Sequence, residues 1–211
     1  MEGIPGQVLE LVRKGGVVMY PLIVLSLISW VYIVERVINL RVGSFLPKNL
    51  NEVKVLLQKS DVDGAVKVLS LNEDTFSRAL ALTLEEYLRG NRKKSELFSI
   101  MESELSGIVS AVEKNLLLLS AIASIAPLLG LFGTITGLIK VFSAYASVQT
   151  EEATRLLAAG IGEALTAAAT GLIVAIPALF AYWIFRNMGN DIIEKVEREA
   201  RDVLNLLWGE R

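Results

Sequence analysis

Gly160-Ile-Gly-Glu-Ala-Leu-Thr-Ala-Ala-Ala-Thr-Gly-Leu-Ile-Val-Ala-Ile-Pro-Ala-Leu179 reads as a helix made for lipid, with one charge in it, Glu163. A carboxylate at bilayer depth costs roughly 2.5–3.5 kcal/mol on insertion scales, so it is kept where it faces a bundle interior or a water-lined path. Glu163 lies near one end of the stretch, where the cost is lower. Reaching headgroup water or capping a neighbour is therefore an alternative to a part in ion movement. Glu163, Thr166 and Thr170 fall at i, i+3 and i+7, and Val174 and Pro177 continue the same stripe. The opposite side carries Leu165, Leu172, Ile176 and Leu179, a lipid-like face. One helix face thus bears a carboxylate and two hydroxyls, groups that proton routes use together with water.

Two further blocks match this one in character. With Ile161–Phe185 stand Val17–Val34 and Leu116–Ile139, each of about 18–25 residues, enough to cross a hydrocarbon core of about 30 Å. The 211-residue chain is 53% hydrophobic, with a mean hydropathy of +0.50, and these blocks hold the excess. The first apolar run is longer than a signal peptide's, and Met1-Glu2-Gly3 lacks a basic leader, so it is expected to stay in the membrane. The fold expected is all-α: three transmembrane helices, with long helices reaching into the cytoplasm.

Composition excludes several chemistries. There is no cysteine and no histidine, hence no disulfide, no thiolate or imidazole metal site and no triad built on histidine. No clustered acidic loop suggests a carboxylate metal site. No cofactor, metal or catalytic residue is expected, and the chain does not read as an enzyme. A formal net charge of −2 offers no basis for nucleic-acid binding.

Basic residues set the expected orientation. The stretch from Arg41 to Lys114 holds eleven Lys and Arg, and the tail holds Arg186, Lys195, Arg198, Arg201 and Arg211. Only Arg13 and Lys14 precede the first block. The positive-inside rule then places the middle segment and the C-terminus in the cytoplasm and the N-terminus outside. The expected organisation is a periplasmic or interfacial amphipathic helix over 1–16, a first span over 17–40 and a cytoplasmic helical region over 41–115. A second span over 116–145, a short periplasmic link over 146–158, a third span over 159–185 and a cytoplasmic C-terminal helix over 186–211 follow. Within the cytoplasmic region short helices are predicted at Leu50–Lys59, Val62–Leu71 and Thr75–Leu88. From Ser95 to Tyr145 the pattern predicts one helix without a clear stop, which Pro127 should bend. The tail pattern predicts a separate amphipathic helix, Ile192–Leu207.

The second span carries Ala126-Pro-Leu-Leu-Gly-Leu-Phe-Gly-Thr-Ile-Thr-Gly-Leu-Ile139. Gly130, Gly133 and Gly137 share one face, and small residues at this spacing let helices approach closely in lipid. A packing role is expected for them and for Gly171, Pro127 and Pro177. Thr134 and Thr136 either bond back to their own helix or line a polar path. Glu35-Arg36 closes the first span as an interfacial ion pair or snorkelling pair, and Lys140 is expected to snorkel to the outer interface.

Gly15-Gly-Val-Val-Met-Tyr-Pro-Leu22 with Ser26 and Glu35-Arg36, the Ala126–Phe142 motif, and Ile161–Tyr182 with Glu-Ala-Leu and Gly-Leu-Ile-Val-Ala-Ile-Pro-Ala resemble, in that order, the ExbB/TolQ proteins, relatives of the flagellar stator subunit MotA. The resemblance implies a homopentamer around a central pore in the bacterial inner membrane. The pore would hold single-span partners of the ExbD/TolR type, whose transmembrane aspartate takes and releases protons. Work would pass to the outer membrane through a TonB- or TolA-like protein. It also implies that Thr134 lines the pore opposite that aspartate and that Glu163 is the family's acidic residue of span three. One position departs: the threonine usual three residues before the glycine of Gly-Leu-x-x-Ala-Ile-Pro, here Gly171, is Ala168. Thr166 and Thr170 flank it, about 160–200° around the helix. Two other readings are a self-sufficient channel or transporter, against which three spans with one well-placed acid argue, and a MotA-like stator, which has four spans.

Overall fold

The structure is a computed structural model that describes residues 15–40, 45–90, 93–145 and 151–209, with the backbone alone for 144, 145 and 151–153. These residues are helical apart from short turns. In chain order the helices are α1 Met19–Asn39, α2 Leu50–Gln58, α3 Val62–Ser70, α4 Thr75–Leu88, α5 Lys94–Glu113, α6 Leu116–Tyr145 and α7 Glu151–Asn205, followed by a 3₁₀ turn, Leu206–Trp208. Three helical segments are long and apolar enough to cross a membrane: α1, the α5–α6 stretch Lys94–Ser143 and the α7 stretch Thr154–Trp208.

The chain divides into two compact units. The first comprises α1 up to Glu35, α6 and α7 up to Ile184. Its core is formed by Val18 and Leu22 of the α1 entry, Ile122, Ala123 and Ala126 of α6, and Val174, Ala175 and Ala178 of α7. The faces of these helices turned away from that core are exposed and strongly apolar, as at Leu27, Trp30, Phe132, Leu172 and Phe180. Leu165, Leu172, Ile176 and Leu179 are all exposed, as their pattern predicts. Val174, which continues the predicted stripe, lies in the core.

The second unit comprises residues from Arg36 to Lys114 and from Phe185 onward. Successive helices α2, α3, α4 and α5 pack on one another, and the terminal 3₁₀ turn packs on α2. The cause is amphipathic spacing: Leu50, Val53 and Leu57 of α2 are buried at i, i+3 and i+7, and Phe76, Leu80 and Leu84 of α4 at i, i+4 and i+8. Asp61 and Asp74 begin α3 and α4 by accepting from the backbone N–H of Gly64 (2.9 Å) and Ser77 (2.8 Å). Leu97, Met101, Leu105, Ile108 and Val112 form a buried seam along α5. Against it lies the distal part of α7, where Gly189 admits the side chain of Val112. Lys54 Nζ donates to Glu199 Oε2 at 2.6 Å, tying α2 to α7.

The three short helices match their predicted positions to within a residue at each end. Three expectations are corrected. The Ser95–Tyr145 helix is interrupted at Lys114–Asn115, where Asn115 adopts a left-handed φ of 65°. Asparagine tolerates that conformation better than most residues. The link over 146–158 is shorter, since α7 starts at Glu151, and residues 146–150 lie outside the described residues. The tail helix is not separate: α7 runs without a break for 55 residues. Of the predicted 1–16 helix, 1–14 lie outside the described residues, and Gly15-Gly16, expected to stop it, are not helical. Pro127 and Pro177 both lie inside continuous helices.

Candidate functional site

The second and third spans meet through their smallest residues. Ala126, Gly130, Gly133 and Gly137 of α6 face Ala164, Ala167, Ala168 and Gly171 of α7. A Cβ at Gly171 would lie 2.7 Å from Ala126 O and 3.0 Å from Gly130 Cα. One at Gly133 would lie 2.5 Å from Ala167 Cβ, and one at Gly137 3.1 Å from Ala164 Cβ. In lipid no hydrophobic force drives helices together, so this close backbone approach is what dispersion can exploit. It also fixes which side chains fall on which edge of the helix pair.

Thr134 and Thr136 are two residues apart, about 200° around α6, so they take opposite edges. Thr134 follows Gly130 by one turn, and a Cβ on Gly130 would lie 3.2 Å from Ala168 Cα. Thr134 and Ala168 therefore belong to the same edge. The other edge collects Thr136, Lys140 and Glu163, which with Gly15, Val17, Val18, Pro21, Leu129, Phe132 and Gly133 line a cavity of about 340 Å³. Of the residues expected on a polar path, Thr136 and Glu163 line this cavity, while Thr134, Thr166 and Thr170 do not. The structure thus separates Thr134 from Glu163.

Each threonine hydroxyl donates to its own helix: Thr134 to Leu131 O (2.6 Å), Thr136 to Gly133 O (3.1 Å), Thr166 to Gly162 O (2.8 Å) and Thr170 to Thr166 O (2.8 Å). A hydroxyl so bonded keeps acceptor capacity on its oxygen. Thr166 and Thr170 are half-buried on the Glu163 side of α7. Lys140 does not simply snorkel outward: its Nζ donates to Glu163 Oε1 at 2.9 Å. Glu163 keeps 29% of its side-chain surface accessible. Its Oε1 occupies the space that a Cβ on Gly16 would need, and Gly16 has a left-handed φ of 71°.

Sequence reasoning named Thr136 for a polar path but missed Lys140 as the partner of Glu163. A signal was present: in an antiparallel hairpin turning near residue 150, Gly137 lies opposite Ala164, which brings Lys140 to the level of Glu163. At the end of the first span, Arg36 corrects the snorkelling expectation. It is 3% exposed, and its Nη1 donates to Ala111 O at 3.3 Å. Among the described residues no group of three or more acidic side chains converges as a metal site would require.

A family model described as the MotA/TolQ/ExbB proton channel family matches residues 70–198. The Synechocystis protein named ExbB-like 1 is 32% identical, over 93% of this chain and 79% of its own length. The Haemophilus influenzae Tol-Pal system protein TolQ is 28% identical, over 82% of each chain. The Salmonella typhimurium biopolymer transport protein ExbB is 29% identical, over 82% of this chain and 73% of its own.

Proposed function

This chain belongs to the MotA/TolQ/ExbB proton channel family, and from that premise we propose that it is the scaffold subunit of an inner-membrane motor driven by the proton-motive force. Five copies surround a pore that holds a single-span partner of the ExbD/TolR type. The partner's intramembrane aspartate binds and releases protons, and the resulting motion is passed outward through a TonB- or TolA-like protein. The N-terminus faces the periplasm, while residues 41–115 and the tail lie in the cytoplasm, with the spans at 17–40, 116–145 and 159–185.

The observation that carries this reading is the α6–α7 pair: two apolar helices packed through glycine and alanine, with hydroxyls and a carboxylate confined to their edges. No relay of carboxylates crosses the bilayer within the described residues, which suits a route completed by a partner's acid. Thr134 supplies the pore hydroxyl beside that acid. Glu163, Thr166 and Thr170 form a second polar edge at the periplasmic side, where water and protons enter. Each proton crossing 100 mV yields about 2.3 kcal/mol, so a few suffice for a conformational stroke.

The test is proton flux into liposomes under an imposed potential, for this chain alone and with a co-expressed ExbD/TolR-type partner. Flux only with the partner, abolished by replacing the partner's aspartate, is the expected result. Flux from this chain alone would make it a self-sufficient channel. Thr134→Val should cut coupled flux severely while folding is retained, and wild-type flux in that variant would remove Thr134 from the route.

A further inference from the structure

Lys140 and Glu163 come from different helices, 23 residues apart in sequence, and meet at 2.9 Å. An exposed ion pair is ordinarily worth little. Three features set this one apart. The helices beneath it are closely packed, since a Cβ on Gly137 would lie 3.1 Å from Ala164 Cβ. Around it the side chains are apolar, with Val17, Val18, Pro21, Leu129 and Phe132, and Glu163 is the less exposed partner at 29% against 59% for Lys140, so removing the lysine leaves the carboxylate among apolar groups without its counter-charge. Beneath the carboxylate lies Gly16, whose left-handed backbone and missing side chain make a seat for Oε1.

We infer that Lys140 is the positioning residue for Glu163: it neutralises the carboxylate and holds it on the Gly16 seat at the mouth of the cavity, tying the entry of α1 to the end of the α6–α7 hairpin. The inference rests on the proposed place of Glu163 in the proton route. Among the described residues, Lys140 and Glu163 are the only titratable side chains lining the cavity, and each is the other's ion-pair partner there. A threonine hydroxyl, Thr136, lies beside them.

The experiment is a double-substitution cycle on the full chain, read by thermal unfolding in detergent and by flux in liposomes with the partner. Lys140→Gln should lower the unfolding midpoint more than Glu163→Gln, because it leaves a bare carboxylate. The double variant should be no worse than Lys140→Gln alone, and the charge swap Lys140→Glu/Glu163→Lys should recover part of the loss. Additive effects would overturn the pair. In flux, Lys140→Gln should lose roughly tenfold or more, since misplacing a group by about an ångström costs that much. Lys140→Arg should restore it, and failure of that rescue would leave Lys140 a merely structural residue. Full flux in Glu163→Gln would remove Glu163 from the route and with it the positioning role, whereas the unfolding cycle judges the pair independently. If Lys140→Gln does not insert, the Gly16 seat carries the test. Gly16→Ala should do less damage in a Glu163→Ala background than in the wild type, and equal damage in both would overturn the seat.

Discussion

Glycine and alanine do different work at positions that look alike in the sequence. Gly162 and Gly171 both lie inside α7, yet a Cβ at Gly162 meets nothing within 4 Å, while one at Gly171 would press on the backbone of Ala126 and Gly130. Backbone cannot swing aside as a side-chain tip can. Gly171→Ala should therefore destabilise by roughly 1–3 kcal/mol, as overpacking does. Gly162→Ala should be neutral or gain up to about 1 kcal/mol from helix propensity. Thermal unfolding of the two variants in one detergent checks this, and equal shifts would show that the helices are not in close contact at Gly171. The small-residue face was legible from spacing alone. Which glycine is tight was not, because that depends on the register of the facing helix.

Helix ends show where local signals suffice. Asp61 and Asp74 cap as their residue type predicts, and both short helices begin at the expected place. At the start of α5, Lys93 Nζ donates to Glu96 Oε1 at 2.8 Å, and this hydrogen bond, aided by the glutamate's charge, raises the lysine above its ordinary 10.5. A raised pKa means that the folded state holds the proton more tightly. The pair's contribution is therefore fully present below the unfolded value and is lost as pH rises through the folded one. Lys93→Met should differ slightly from wild type in unfolding midpoint at neutral pH, and the difference should vanish at strongly alkaline pH. A difference that persists there would have another cause. The interruption at Asn115 escaped the periodicity because the apolar pattern continues on both sides of it. The unbroken 55 residues of α7 escaped because the change from apolar to charged surface at Arg186 looks like a boundary while the backbone hydrogen bonding does not change.

At the scale of the molecule, the spans are too apolar for the contacts they make within one chain. Only 17% of the most apolar window of α1, and 33% of that in the α6 and α7 spans, is buried. Lipid or further copies must cover the remainder, since an exposed apolar surface of this extent is not left to water. The proposed pentamer predicts a mass, by native mass spectrometry or light scattering corrected for detergent, of five times the 23.0 kDa chain. A monomeric mass in mild detergent would overturn it.

The three spans, the short helices between the first two, the small-residue face and the family are legible from the residues alone. Each follows from composition and period along one helix, which are local quantities, or from an ordered set of motifs. Helix geometry alone parts Thr134 and Thr136 to opposite edges, but it took the packed helices to show that Ala168 rather than Glu163 shares the edge of Thr134 and that Glu163 is paired with Lys140 over Gly16. Those facts depend on how far α6 and α7 are rotated and shifted against each other. Close contact between glycine and alanine sets that rotation, and no property of either helix alone contains it.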